Sequence, residues 1–281
     1  MVTRVAPSMT GFLHLGHLLH LVWVYAVAAR RGLSVRLRIE DHDMSRARPA
    51  YEAALLADLA AFGFEVDGEP LRQREHTAHY EAQLSKLAEA GWVYGCACSR
   101  REIAEGQSRQ RDELFYEGTC ADKQLPLIGH TVRFRVPKGA VRFVDERLGL
   151  QEQSPASQCG DFALRDRHGQ FTYQFACVCD DIRQRITHVV RGEDVLPSTA
   201  RQLQLFAALG GASPTYLHHP LLCNTAGEKL SKRERSESIR LRLEAGVLPE
   251  QLLAEALGET KPLSLADAIV RVSERWDKPS A

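Results

Sequence analysis

The apolar positions change period several times along the first ninety residues. The run "VTRVA" (2–6) is short and rich in β-branched residues, which predicts a strand. Residues 15–31, "LGHLLHLVWVYAVAARR", are apolar almost all round and predict a helix buried against a sheet, stopped by Gly32. "LSVRLRIED" (33–41) alternates and predicts a strand that ends in charge. Helical spacing returns over 50–62 and 77–90. Strand, loop, helix and strand in this order predict an α/β protein with a parallel sheet and right-handed crossovers.

From Cys96 to Ser157 the pattern breaks. Charged, irregular sequence carries three cysteines, and "TVRFRV" and "VRFVDERLG" then predict antiparallel strands. This reads as an inserted subdomain over 96–157, between a first half of the α/β domain (1–95) and a second half (158–237). The second half holds a strand in "DFALRD", a helix in "TYQFACVCDDIRQ", a strand in "ITHVVRG" and a helix over 198–209. It continues with a loop carrying His218, His219 and Pro220 and a polar loop, "GEKLSKRERS". A short helical region (238–281) is expected to finish the chain.

Charge narrows the picture. The 281 residues carry 36 basic and 36 acidic side chains, so any nucleic-acid contact needs a local basic patch rather than overall charge. No apolar stretch reaches the length of a membrane span, and the N-terminus lacks the regions of a signal peptide, so a cytoplasmic protein is expected. In a reducing compartment seven unevenly spaced cysteines suit a metal better than disulfides.

Two polar clusters then stand out. His14 and His17 fall where a loop enters the first long helix, beside Gly11 and Gly16, and helix N-termini favour phosphate. Lys229 and Lys232 sit three residues apart on a polar loop suited to a pyrophosphate leaving group. Taken singly, each has an ordinary reading: incidental histidines and a surface lysine cluster. Asp41-His42-Asp43 reads as a polar loop, while His20, Cys177 and Cys179 read as packed core. No Walker A or dinucleotide fingerprint is present.

Jointly, "RVAPSMTGFLHLGH" (4–17), "RIED" (38–41), "VVRGEDVLPST" (189–199) and "KLSKR" (229–233) resemble, in order, the signatures of class I glutamyl-tRNA synthetases. Met9 departs from the family's usual proline. The resemblance implies a doubly wound, Rossmann-like catalytic domain that activates L-glutamate with ATP and Mg2+. It implies carboxylate partners in Arg4 and Arg191, an ammonium partner in Glu40, a polar wall in Tyr173, and Ala6, Pro7 and Ser8 beside the ligand. ATP falls to His14, Gly16, His17 and Lys232, and catalysis to His14, His17, Lys229 and Lys232. An arginine facing the side-chain carboxylate fits refusal of glutamine, whose amide lacks the charge.

Cys96-Ala97-Cys98 followed by Tyr116 and Cys120 resembles the Cys-x-Cys…Tyr-x-x-x-Cys zinc site of glutamyl-queuosine tRNA(Asp) synthetases. This implies one structural Zn2+ per chain on Cys96, Cys98, Tyr116 and Cys120. No anticodon-binding domain is expected after the lysine-rich loop. The reading that follows is a monomeric enzyme transferring glutamate to the queuosine of tRNA(Asp), with the RNA over the insertion and near Arg233, Arg235, Arg240 and Arg242. Its alternatives are a truncated enzyme charging the acceptor end of tRNA(Glu) and a silent paralogue binding tRNA or glutamate.

Overall fold

The structure, a computed structural model, describes residues 1–42, 46–106, 113–222 and 238–276. Parallel strands form its centre. β1 (Val2–Val5) pairs with β2 (Ser34–Ile39) and β2 with β3 (Leu71–Arg72). β9 (His188–Gly192) pairs with β10 (Thr215–His219), and β10 with β6 (Val141–Asp145). The two sets meet at β1 and β9, where the Thr187 N–H donates to the Val2 carbonyl (2.9 Å).

The helix predicted over 15–31 forms as α1 (Leu15–Arg31). It contacts β1, β2 and β9 on the sheet, and the C-terminal helices α9 (Pro249–Ala256) and α10 (Leu265–Trp276) cover it further. Cover on more than one side explains an apolar circumference. Gly32 closes α1 in the left-handed region (φ 62°), and Arg30 and Arg31 in its last turn reach over the Trp276 ring. Met9, at the family's proline position, is buried in this core.

Residues 96–157 divide between two sheets. β5 (Thr131–Phe134) pairs antiparallel with β4 (Val93–Cys96) and with β8 (Ala163–Arg165). "VRFVDERLG" is a strand and a turn: β6 ends at Asp145 and returns antiparallel as β7 (Gly149–Gln153). His218 and His219 are not in a loop. They end β10, hydrogen-bonded between β6 and β9, and four successive residues, Tyr216 to His219, are buried. A strand enclosed on both faces shows no alternation, and two histidines in it read as polar. α6 (Tyr173–Arg183) and α7 (Thr199–Ala208) complete this half. After it α8 (Ile239–Glu244) precedes α9. No helix among the described residues is long and apolar enough to cross a membrane.

Candidate active site and metal centre

A cavity of about 310 Å³ opens at the carboxyl ends of β1, β2, β9 and β10, where ligands bind in open α/β sheets. Arg4, Ala6, Glu40, Tyr173 and Arg191 line it together with His14, Gly16 and His17. A second cavity of about 450 Å³ shares Ala6, His17, Glu40 and Tyr173 and adds Pro7 and Ser8. The loop 6–8 is held against β2 because the Glu40 N–H donates to the Pro7 carbonyl and the Met9 N–H to the Glu40 carbonyl. Lys229, Lys232, Arg233 and Arg235 lie outside the described residues, as does Asp43.

His14 is the N-cap of α1. Its Nδ1 accepts from the Gly16 N–H, and the His17 Nδ1 accepts from the His14 N–H, both at 3.1 Å. A Cβ on Gly16 would stand 3.0 Å from the His14 ring, so glycine there lets the cap form. With both Nδ1 atoms accepting, the network assigns each neutral ring its proton on Nε2. Burial and the neighbouring His14 push His17 down to about 3, so it acts as a neutral donor.

Arg4 and Glu40 belong to one buried network. Arg4 Nε and Arg38 Nη1 both donate to Asp181 Oδ1 (3.2 and 2.6 Å), and Arg38 also donates to Glu40 Oε1 (3.3 Å). Burial opposes ionisation of Asp181, but Arg38 and Arg4 outweigh it and hold the carboxyl low. At Glu40 burial prevails over Arg38 and the carboxyl is raised. Arg38 and Asp181 escaped the sequence reading. Arg38 stands two residues before Glu40 on one strand, hence on one face, and that spacing was the available signal.

Arg191 is held differently. Its Nε donates to His218 Nε2 (3.0 Å), Nη1 to Gln202 Oε1 (2.6 Å) and Nη2 to Thr199 Oγ1 (2.7 Å). All three acceptors are neutral, and Tyr216 lies under the guanidinium at 5.0 Å. His218 Nδ1–H donates to Asp145 Oδ2 (2.6 Å), which leaves Nε2 without a proton and free to accept from Arg191. Burial, beyond what Asp145 restores, keeps His218 low and therefore neutral. Among the described residues Arg191 forms no ion pair, although it is 5% exposed.

His20 is not merely packed. It lines both cavities, and its Nδ1 lies 3.1 Å from His219 Nε2. Cys177 and Cys179 are buried in α6 as expected. Asp41 and His42 tie the loop after β2 to Arg74 and Gln73. Arg240 is paired with Asp58 (2.6 Å) and Arg242 with Glu255 (2.6 Å), so these two members of the expected RNA-binding stretch are already neutralised.

Cys96, Cys98 and Cys120 bring their sulfurs within 4.8 Å of one another. Tyr116 Oη stands 3.2 Å from Cys96 Sγ and 3.8 Å from Cys98 Sγ, and the Cys98 and Cys120 sulfurs are 3.6 Å apart. Tetrahedral zinc with sulfur and oxygen ligands has edges of about 3.5–3.8 Å, so the donor set fits. Tyr116 is carried there by bridging to Gly160: its N–H donates to the Cys159 carbonyl and its carbonyl accepts from the Asp161 N–H. Gly160 has φ 64°, and a Cβ on it would meet the Tyr116 carbonyl oxygen.

The family profile described as "tRNA synthetases class I (E and Q), catalytic domain" matches residues 1–258. The chain is 38% identical over 279 residues to the glutamyl-Q tRNA(Asp) synthetase of Aromatoleum aromaticum, covering 98% of this chain and 87% of that one. It is 44% identical over 236 residues to the protein of that name from Burkholderia mallei, covering 82% and 80%. Among solved structures, the glutamate-tRNA synthetase of Elizabethkingia anophelis superposes with a TM-score of 0.79 at 25% identity, covering 96% of this chain and 65% of that chain. Parallel sheet, signature residues and kinship agree: the chain belongs to the class I tRNA synthetases for glutamate and glutamine, among the glutamyl-Q tRNA(Asp) synthetases.

Proposed function

We propose that this protein activates L-glutamate with ATP and transfers it to the queuosine base of tRNA(Asp), acting as a cytoplasmic monomer with a doubly wound catalytic domain. The observation that carries the reading is Arg191: a buried guanidinium oriented by three neutral acceptors, with no carboxylate pairing it among the described residues. A buried cation without a counter-ion is costly, and a ligand carboxylate removes that cost. Arg4, which shares Asp181 with Arg38, and Glu40, which Arg38 holds, line the same cavity and complete a charged lining that suits the second carboxylate and the ammonium group of a dicarboxylic amino acid.

In the first step a glutamate carboxylate oxygen bonds to the α-phosphorus of ATP and the bond to the leaving pyrophosphate breaks. The Nε2–H groups of His14 and His17, with Lys229 and Lys232, stabilise the charge that develops on the phosphoryl oxygens. Mg2+, brought with ATP as part of the substrate, would supply neutralisation of phosphate charge. In the second step a hydroxyl of the queuosine cyclopentenediol attacks the activated carbonyl, giving an ester and AMP and losing one proton. Positioning and electrostatics suffice for both steps. Cys96, Cys98, Tyr116 and Cys120 would hold one structural Zn2+, which would brace the inserted segment rather than take part in the chemistry.

The test is transfer of labelled glutamate, with ATP, to bulk tRNA from cells with and without queuosine. Label only on queuosine-containing tRNA is the expected result. Equal labelling of both preparations means charging of the acceptor end, and no labelling of either means a silent paralogue.

A further inference from the structure

The largest cavity described, about 560 Å³, lies outside the glutamate site and is rimmed by arginines. It opens beside the cysteine cluster, with Cys98 and Tyr116 on one wall and Thr172, the N-cap of α6, on another. The next residue, Tyr173, lines the glutamate cavity, so the two cavities flank the start of one helix.

Its charge is unbalanced. The Arg100 and Arg167 side chains are exposed and form no hydrogen bond or ion pair among the described residues, although Arg167 lies close enough to Glu102 to add to the Ser99 hydrogen bonds that hold its carboxyl low. Arg133 and Arg201 are buried, and each has an Nε–H with no acceptor. Arg133 otherwise donates to the Asp161 carbonyl and lies 3.8 Å over the Tyr116 ring, and Arg201 pairs with Glu113. Asp166 is the acid that lines the cavity, and its Oδ1 is already taken by the backbone N–H groups of His168 and Gln170. Arg101 is held by Glu105. By contrast Arg240 and Arg242 are spent on Asp58 and Glu255.

We propose that this arginine-rimmed cavity seats backbone phosphates of the tRNA as its reactive nucleotide enters the glutamate site, with Arg100 and Arg167 as the phosphate contacts. The assignment rests on the tRNA-dependent reading above. Several features select RNA over a small metabolite. Several arginines line one cavity of about 560 Å³, two of them exposed and without an ion pair among the described residues, and the cavity abuts the site where a nucleotide must arrive. Guanidinium forks match phosphate oxygens, and unpaired exposed cations cost nothing to redirect.

The experiment measures binding of full-length queuosine-containing tRNA(Asp) to the whole chain across a salt series, for wild type, Arg100→Glu/Arg167→Glu, and the control Arg271→Glu on α10. Both rim positions are exposed, so the double variant keeps the fold, and glutamate-dependent pyrophosphate exchange without tRNA should stay near wild type. The expected result is at least a tenfold loss of tRNA affinity in the double variant alone. The slope of log K against log salt should fall by about one to two, since each lost phosphate contact removes roughly 0.7–0.9. Wild-type affinity and slope in the double variant overturn the proposal. So does wild-type binding of inorganic phosphate that the double variant loses while tRNA binding is untouched, which marks a small-anion site. Failure of glutamate transfer by wild type, with tRNA binding still lost in the double variant, overturns the enzymatic reading and leaves the phosphate seat standing.

Discussion

Arg191 concentrates the residue-scale argument, because its role depends on who holds it. Arg191→Ala is expected to abolish glutamate activation, and Arg191→Lys to restore little, since one ammonium cannot reach His218, Gln202 and Thr199 together. A buried charge pair lost on one side costs about 2–5 kcal/mol, so kcat/KM for glutamate in pyrophosphate exchange should fall by at least roughly thirtyfold. Asp145→Asn probes the same cation from behind. An amide no longer fixes the His218 proton on Nδ1, Nε2 stops being a reliable acceptor, and KM should rise about tenfold with kcat nearly unchanged. A fall in kcat at constant KM would reject that account. Glu40, Arg4 and Arg191 entered the sequence expectation as pieces of signatures, and Tyr173 only through the resemblance those signatures carry. Of their supports, Arg38 had a local signal two residues before Glu40, but Asp181, His218 and Asp145 had none, because a hydrogen bond across 177 positions, as between Arg4 and Asp181, leaves no local pattern.

At the scale of elements, local chemistry decided some features and packing decided others. The start of α1 was readable because the cap, the glycine and the apolar run are contiguous, and Gly32 marked its end. β10 was not, because burial on both faces erased the alternation that marks a strand. The reach of Tyr116 to the cysteines comes from its bridge to Gly160, forty-odd residues away in sequence. Gly160→Ala is expected to displace the Tyr116 backbone. Metal analysis of that variant should find less bound zinc than in wild type, and thermal unfolding should begin at a lower temperature. Wild-type zinc content in Gly160→Ala would show that Tyr116 is dispensable to the site. For wild type purified without chelator, about one zinc per chain is expected, and chelation should lower Tm.

For the whole molecule, buried histidines set the acid limit. Burial and neighbouring His14 hold His17 at about 3, and burial holds His219 at about 4. Burial and His219 hold His20 well below the ordinary value. Folded values below the unfolded 6.5 mean that stability is complete above pH 6.5 and is lost as pH falls, by up to about 1.4 kcal/mol per pH unit for each group. Asp58, raised by burial to about 6, runs the opposite way from about pH 6 downward and offsets one of the three. Urea midpoints should therefore drop between pH 6.5 and 5, and His20→Leu should flatten that slope. An unchanged slope in that variant would remove His20 from the account.

What the sequence determined by itself was contiguous: the alternation of strand and helix, the His14–His17 start of α1, the Cys96-x-Cys98 pair, and the ordered signatures that identify the family. These survive in one dimension because caps, periods and short motifs act over a few residues. Tertiary structure alone decided which charges are spent. It neutralised Arg240 and Arg242, left Arg191 without a carboxylate among the described residues, and gathered arginines, two of them exposed and without an ion pair among the described residues, around the cavity beside the cysteine cluster. A charge's availability depends on partners brought near by the fold, and Coulomb interaction depends on distance in space rather than along the chain.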